Sequence, residues 1–155
     1  MIVSNSSPLI VFSKINRLSL LKEMFGEVYI PKAVFEEVTR GRKGEEIVKN
    51  KWIKIKEIRD KDFAEYLSKM IGRGEAEAII LAKECRSKLL IDDAQGRKHA
   101  ELLDLKFIGC LGLVKLAKKQ GLIESAGEVI MEMKDESFYV DEGLITALLE
   151  SVGEK

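Results

Sequence analysis

Four places in this chain of 155 residues carry side-chain oxygens at the end of a strand-like segment or within a helical one, where a fold could gather them around a metal ion. Hard divalent cations such as Mg²⁺ and Mn²⁺ prefer such ligands, and they commonly also hold waters and a substrate phosphate. A cation held in this way can activate water and neutralise a phosphodiester as it is cleaved. The four places therefore predict metal-dependent phosphodiester chemistry if the fold brings them together. They are Asn5 after MIVS, Glu36 and Glu37 in PKAVFEEV, Glu75 and Glu77 in RGEAEAI, and Asp92 and Asp93 after KLLI.

Electrostatic repulsion limits how closely such acids can gather. Two carboxylates about 4 Å apart repel each other by roughly 4 kcal/mol at an effective dielectric constant of about 20. A cluster of them is therefore tolerable only when an acid is protonated or when a cation occupies the site. A converged group of these residues would itself indicate a cation site.

Each place also has a purely structural explanation, and none is specific for chemistry when taken alone. A polar residue after a strand can cap the next helix, an acid in a first helical turn interacts with the helix dipole, and paired acids often line a solvated face. The pair after KLLI is harder to explain in this way, because one acid can cap the following helix but the other is left without a structural role.

The elements that must position these residues alternate between strand and helix along the chain. Short apolar runs predict strands near residues 1–4, 27–30, 52–58, 88–92 and 106–109, and amphipathic segments predict helices between and after them. This alternation favours a parallel sheet covered on both faces, which is an α/β fold. Sites in open sheets of this kind form at the carboxyl ends of the strands, which is where two of the four places lie.

Two helix boundaries near these places are marked by particular residues. Ser6 or Ser7 can cap the helix after the first strand, with Pro8 in its first turn, where the missing N–H costs nothing. The segment Gly72–Gly74 is expected to close one helix, and the next helix is expected to begin at Glu75.

Composition limits the class of protein. Apolar residues make up 46% of the chain, and no linker or repeat interrupts it, so we expect one globular domain over residues 1–155. Lys and Arg together number 26, as do Asp and Glu, so the net charge is zero and indicates nothing about nucleic acid. The basic stretches TRGRKGE and GRKHA, with Arg73, can position a polyanion if they flank the acids.

Cysteine usage and hydropathy bear on the compartment. Cys85 and Cys110 lie far apart with no metal-binding spacing, which predicts buried free thiols rather than a disulfide or a zinc site. No signal peptide is visible, and no apolar run is long enough to span a bilayer. A soluble cytoplasmic protein is therefore expected.

Five motifs in this order resemble those of the PIN-domain family, most closely its short archaeal and bacterial members, and are similar to VapC-type toxin ribonucleases. The resemblance extends from Met1 to about Ile123. It implies a single-domain, three-layer α/β/α sandwich with a mainly parallel Rossmann-like sheet, on which C-terminal helices (about 124–151) pack or form a partner surface. The motifs are IVSNSSPLI, VYIPKAVFEEV, GRGEAEAIILA, LLIDDAQGRKHA and FIGCLGLVKLAKKQGLI.

The same resemblance implies an activity and partners. PIN-like proteins of this kind cleave single-stranded RNA with Mg²⁺ or Mn²⁺, and they are often homodimers. In the toxin branch a small antitoxin protein binds the enzyme.

The resemblance also implies which residues form the site. The family's first acidic ligand falls on Asn5, and the later acids fall on Glu37, Glu75 and Asp93, with Asp92 beside the last as a further metal ligand. These four positions, Asn5 included, would be the catalytic set.

Three further residues are expected to approach the RNA. Arg97 matches a basic position common in this branch, Arg73 lies near the predicted acids, and Ser6 would support the site next to Asn5. Glu77 is an alternative to Glu75 as the third acid.

Asn5 is the departure from the family pattern and leaves three hypotheses open. An amide keeps a coordinating oxygen but loses a charge, so cation binding should weaken. The first hypothesis is a ribonuclease with a weakened metal site, and the second is a degenerate, non-catalytic RNA-binding or protein-interaction module. The third is a phospho-acceptor receiver domain, suggested by Asp92 and Asp93, but receivers place their acidic pair after the first strand, where Asn5 stands.

Overall fold

Five parallel strands form one sheet in the computed structural model, which describes residues 1–154. Lys155, the last residue of the expected domain, lies outside the described residues. The strands are β1 (Ile2–Ser4), β2 (Val28–Ile30), β3 (Ile53–Ile55), β4 (Leu89–Leu90) and β5 (Phe107–Ile108), and their order in the sheet is β3-β2-β1-β4-β5. The predicted α/β fold with a parallel sheet is confirmed.

Ten helices connect and follow the strands within residues 1–154. None of them combines the length and the apolarity that a membrane crossing requires. The helices are α1 (Ser6–Lys14), α2 (Ser19–Phe25), α3 (Lys32–Arg40), α4 (Gly44–Val48), α5 (Lys61–Ser68), α6 (Arg73–Cys85), α7 (Ala94–Leu102), α8 (Cys110–Lys119), α9 (Ala126–Asp135) and α10 (Glu142–Ser151).

The winding of the chain reverses between β1 and β4. From β1 the sheet grows through β2 to β3, and it then restarts on the other side of β1 with β4 and β5. At such a reversal the connections leave in opposite directions, and a crevice opens beyond the carboxyl ends of the two central strands. The backbone N–H of Asn5 donates to the carbonyl of Leu90 at 3.0 Å, so Asn5 lies at this crevice.

Burial follows the position of each strand in the sheet. Every residue of β1 and β4 is buried, as expected for central parallel strands that helices cover on both faces. In β3, which lies at the edge, Lys54 and Ile55 are exposed, and this confirms the edge strand that the alternating pattern WIKIKEI predicts.

Two helix boundaries differ from the sequence prediction. Asn5, rather than Ser6 or Ser7, occupies the N-cap position of α1, and its side chain makes no capping hydrogen bond. Arg73 and Gly74 begin α6 instead of closing the helix before it. The glycine is needed there because a Cβ at Gly74 would overlap the carboxylate of Glu37.

Both cysteines are free thiols, as predicted. Cys110 is buried, and burial raises the pKa of its thiol well above the ordinary value. Cys85 is only partly buried, so the prediction of two buried thiols is wrong for this residue.

The last described residue ties the end of α10 to the start of α9. Gly153 has a φ of 80°, a left-handed conformation that glycine adopts without strain and that ends the helix. The turn brings the Glu154 carboxylate to Ala126 N and Gly127 N, which donate to it at 2.8 and 3.0 Å, and to Ser125 Oγ at 3.2 Å. The hydrogen bonds from Gly127 and Ala126 lower the pKa of Glu154.

We predict that Glu154→Gln lowers the free energy of unfolding at neutral pH by about 1 kcal/mol, because it removes the charge that these donors stabilise. The pKa of Glu154 is lower in the folded chain than its ordinary value of 4.5. Its contribution is therefore present above that value and is lost as the pH falls below it. Urea unfolding followed by circular dichroism from neutral pH to about pH 3 should show the difference from wild type shrinking with acid.

The control is Glu124→Gln, which neutralises an exposed acid in the loop before α9 and should change stability little. A Glu154→Gln deficit that stays constant across the pH range would contradict the charge-based account.

A candidate metal centre at the carboxyl ends of β1 and β4

Three buried side-chain oxygens within residues 1–154 have no hydrogen-bond partner: Asn5 Oδ1, Glu37 Oε1 and Asp92 Oδ2. Asn5 and Asp92 follow the adjacent central strands, and Glu37 lies in α3, which follows the next strand, β2. A buried polar atom without a partner normally costs about 1–3 kcal/mol, so each needs an explanation. All three come from residues that the sequence predicts for one metal site.

The position of Asn5 is fixed by its backbone, which leaves its side chain free for another role. The residue is only 3% exposed. Its N–H is bonded to Leu90, and its carbonyl accepts from Ser4 Oγ at 2.8 Å. The side chain makes no capping hydrogen bond to α1. Helix capping therefore does not explain why an amide stands at this position.

Glu37 is held against the start of α6, close to Glu75. Its carboxylate packs on the bare backbone of Gly74. Burial raises the pKa of Glu37, as does the negative charge of Glu75, while Arg40 and the Ser6 hydroxyl oppose the rise. Glu37, Glu75 and Ser6 are therefore neighbours, as the site prediction requires.

Glu77, the alternative to Glu75, has a structural role. Its Oε1 accepts from Ala33 N at 3.0 Å, and its Oε2 lies 3.3 Å from Arg73 Nε. With its side chain only 13% exposed, Glu77 satisfies the start of α3. This contact leaves Glu75, rather than Glu77, available beside Glu37.

Asp92 and Asp93 divide their roles. Asp93 is exposed, and its Oδ2 accepts from Gly96 N at 2.7 Å, which caps α7. Asp92 is held through Oδ1, which accepts from Cys110 N at 2.8 Å, while its Oδ2 stays buried without a partner. One acid of the pair caps a helix, as the residue types suggest, but it is Asp93, the position to which the family resemblance assigns the ligand.

Arg97 lies beside Asp92 and is held by the backbone. Its Nε donates to the carbonyl of Ile91 at 3.0 Å, and its Nη2 lies 3.7 Å from Asp92 Oδ1. The guanidinium also covers the ring of Phe107 at 5.7 Å. A Cβ at Gly109 would overlap this guanidinium, so the glycine gives Arg97 its place at the site.

Arg73 bridges two of the acids. Its Nη1 lies 3.2 Å from Glu36 Oε2, and its Nε contacts Glu77. The residue is exposed, so it retains donors that face solvent. The ion pair with Arg73 therefore gives Glu36 a structural role.

Oxygen donors alone make up the candidate centre, which suits Mg²⁺ or Mn²⁺ and not a softer metal. The predicted cluster of acids is not preformed, since no group of three or more His, Cys, Asp or Glu side chains in residues 1–154 is placed to hold a metal ion. Glu37, Glu75 and Asp92 are thus not gathered around one point, and a cation would have to draw them together. Asn5 contributes an amide instead of a further acid. The three oxygens without partners are of the kind that a hard cation binds. One amide and two carboxylates carry less negative charge than four carboxylates would.

Comparison with known proteins places the chain in a family. The family model DUF3368, described as a PIN domain, matches residues 1–154. Searches of curated proteins and of solved structures returned no significant match. The match extends past the region of resemblance seen in the sequence and includes α9 and α10.

We predict that Glu37→Gln has opposite effects with and without metal. In EDTA at neutral pH the variant should gain about 0.5–2 kcal/mol in the free energy of unfolding, because the charged carboxylate is disfavoured by burial and by Glu75. Excess Mn²⁺ should stabilise the wild type through binding to the folded state, and it should stabilise the variant less. Thermal unfolding in EDTA and across a Mn²⁺ titration measures both effects.

Glu36→Gln is the matched control, because it neutralises the neighbouring acid, which pairs with Arg73 outside the site. It should leave the Mn²⁺ response unchanged. Equal stabilisation of Glu37→Gln and wild type by Mn²⁺ would show that Glu37 does not hold the cation.

Proposed function

The chain belongs to the PIN-domain family, and on that premise we propose that it is a divalent-metal-dependent ribonuclease that cleaves single-stranded RNA. PIN domains are in general metal-dependent nucleases. The observation that carries the proposal for this chain is the set of three orphaned oxygens around the crevice between β1 and β4. A hard cation bound at the crevice would give such oxygens a partner.

We assign the ligands by the contacts that each residue already makes. Glu37, Glu75 and Asp92 supply carboxylates, and Asn5 supplies a neutral oxygen. Asp93 positions Asp92 by capping α7 directly after it. When bound, the cation would neutralise charge on the phosphodiester and activate the attacking water.

The basic residues and Ser6 act on the substrate and on the ligands. Arg97 is anchored through Nε and lies beside Asp92 through Nη2, and its guanidinium can donate to a phosphate from this position. Arg73 lies beside α3, where it pairs with Glu36. The Ser6 hydroxyl interacts with Glu37 and orients that carboxylate.

Assembly is a separate part of the proposal and rests on the sequence resemblance. We keep the expectation of a homodimer and, in a toxin role, of an antitoxin protein that covers the site. The exposed side chain of Met131 in α9, one of the C-terminal helices offered as a partner surface, gives a partner apolar area to bury. Light scattering of the purified chain checks the dimer, and monomer at all concentrations would contradict it.

A second candidate function is a degenerate, non-catalytic RNA-binding or protein-interaction module. The amide at Asn5 favours it, as does the lack of a preformed group of three acids within residues 1–154. Cation affinity depends strongly on the charge of the ligands, so this reading predicts weak Mn²⁺ binding and no cleavage.

We predict that Asp92→Asn lowers Mn²⁺-dependent cleavage of single-stranded RNA by at least about 100-fold, more than the loss typical of residues that only orient ligands. Asp93→Asn should keep activity within severalfold, since asparagine caps helices as well as aspartate does. Gel-based cleavage of a labelled RNA, with Mg²⁺ or Mn²⁺ and with EDTA as a blank, compares the two adjacent variants. The reverse ranking would assign the ligand to Asp93.

We predict that Asn5→Asp tightens Mn²⁺ binding by about tenfold or more, because it restores a negative charge among the ligands. Isothermal calorimetry measures the affinity, and the cleavage assay measures its consequence. Asn16→Asp adds the same charge at an exposed loop position and should change neither. If the wild type cleaves no RNA and Asn5→Asp does, the natural protein is the degenerate form.

A further inference from the structure

A groove of about 690 Å³ begins at Asp92 and Arg97 and runs away from the crevice. One wall is formed by β5 and the first turns of α8, and the other by residues 138–141 and α10. Its volume falls in the range typical of small-molecule sites, about 300–1,000 Å³. The groove is thus continuous with the candidate metal centre.

Three aromatic side chains line the groove, and they differ in how far they are exposed. Phe107 and Phe138 are partly buried and pack against the core, so their rings are fixed. Tyr139 lines the same groove but is 97% exposed. An aromatic ring in this position adds almost nothing to the packing of the fold, and its face is available to a ligand.

Two cations of the groove can bind an anionic ligand. Arg97 and Lys115 line it, together with two acids, Asp92 and Asp141. Asp92 accepts from Cys110 N, and Asp141 caps α10 by accepting from Leu144 N at 3.1 Å. Arg97 and Lys115 are the groups that can bind a phosphate beside the candidate metal centre.

We propose that this groove is a nucleobase-binding subsite for single-stranded RNA, in which Arg97 and Lys115 contact phosphate and a base stacks on Tyr139. The proposal rests on the proposed RNA substrate and adds the place where the strand continues beyond the reacting phosphate. Proteins commonly bind unpaired bases by stacking them on aromatic side chains next to cations that follow the backbone. That pairing of aromatic rings and cations is what distinguishes this groove from a purely apolar cleft.

The test is the affinity of a short fluorescent single-stranded RNA for the full chain, measured by anisotropy in EDTA so that no cleavage occurs. Tyr139→Ala should weaken binding by about 5- to 150-fold, which is the loss typical of one stacked base. Tyr66→Ala removes an exposed tyrosine from α5, where 60% of the residue is accessible, and should bind as wild type does. Both side chains lie at the surface, so both variants should fold.

A second ligand separates stacking from phosphate binding. An oligonucleotide of the same length with abasic sugars keeps the charge but has no bases. Wild type and Tyr139→Ala should bind this ligand equally, whereas Lys115→Ala should weaken the binding of both ligands by the same factor. A loss with Tyr139→Ala that is as large for the abasic ligand as for RNA would overturn the stacking role.

The outcomes separate this inference from the nuclease proposal. If Tyr139→Ala weakens RNA binding in a chain that cleaves nothing, the subsite stands and the nuclease proposal fails. If the chain cleaves RNA, and Tyr139→Ala binds and cleaves it as wild type does, the subsite is wrong and the nuclease proposal stands. In that case the groove is free to serve a protein partner instead.

Discussion

Folding of this chain buries one side-chain oxygen each of Asn5, Glu37 and Asp92 without a hydrogen-bond partner. Each such atom costs about 1–3 kcal/mol, which is a large share of the roughly 5–15 kcal/mol that separates folded from unfolded domains. The cost follows from topology, because the parallel strands β1 and β4 are adjacent and carry the chain to the same edge. An ordered water or a bound ion would lower this cost, and under the proposed function the ion is a hard cation, which prefers oxygen ligands.

The polar groups around the centre are, in contrast, matched with one another. Glu77 satisfies the start of α3 and pairs with Arg73, and Asp93 satisfies the start of α7. In Asp92 the two oxygens differ: Oδ1 accepts a hydrogen bond from Cys110 N, and Oδ2 has no hydrogen-bond partner. A ligand that is already held in place by its second oxygen loses little freedom on binding, which is how a rigid site favours its ion.

The sequence predicted the parallel sheet because its signals are local. Apolar runs that end in Asn5 and in Asp92 mark strand ends, and the carboxyl ends of parallel strands share an edge. Local signals did not decide which acid of an adjacent pair points inward. That choice between Asp92 and Asp93 depends on the N–H of Cys110, which β5 and α8 bring from another part of the chain. The hydrogen bonds that Glu154 accepts from the start of α9 were not predicted, for the same reason. Gly153 after a helical segment does indicate a turn there.

Specific side-chain contacts join the C-terminal helices α9 and α10 to each other and to the rest of the domain. Glu154 joins the end of α10 to the start of α9, and Lys118 of α8 pairs with the same carboxylate at 3.5 Å. Further along α9, Glu132 binds Arg17 through two parallel hydrogen bonds of 2.9 and 3.0 Å. Since Arg17 follows directly on α1, which begins next to Asn5, these contacts connect the α10 wall of the groove to the metal centre through packed helices. For the proposed RNA substrate, these contacts would fix the distance between a base in the groove and a phosphate at the crevice, as cleavage requires.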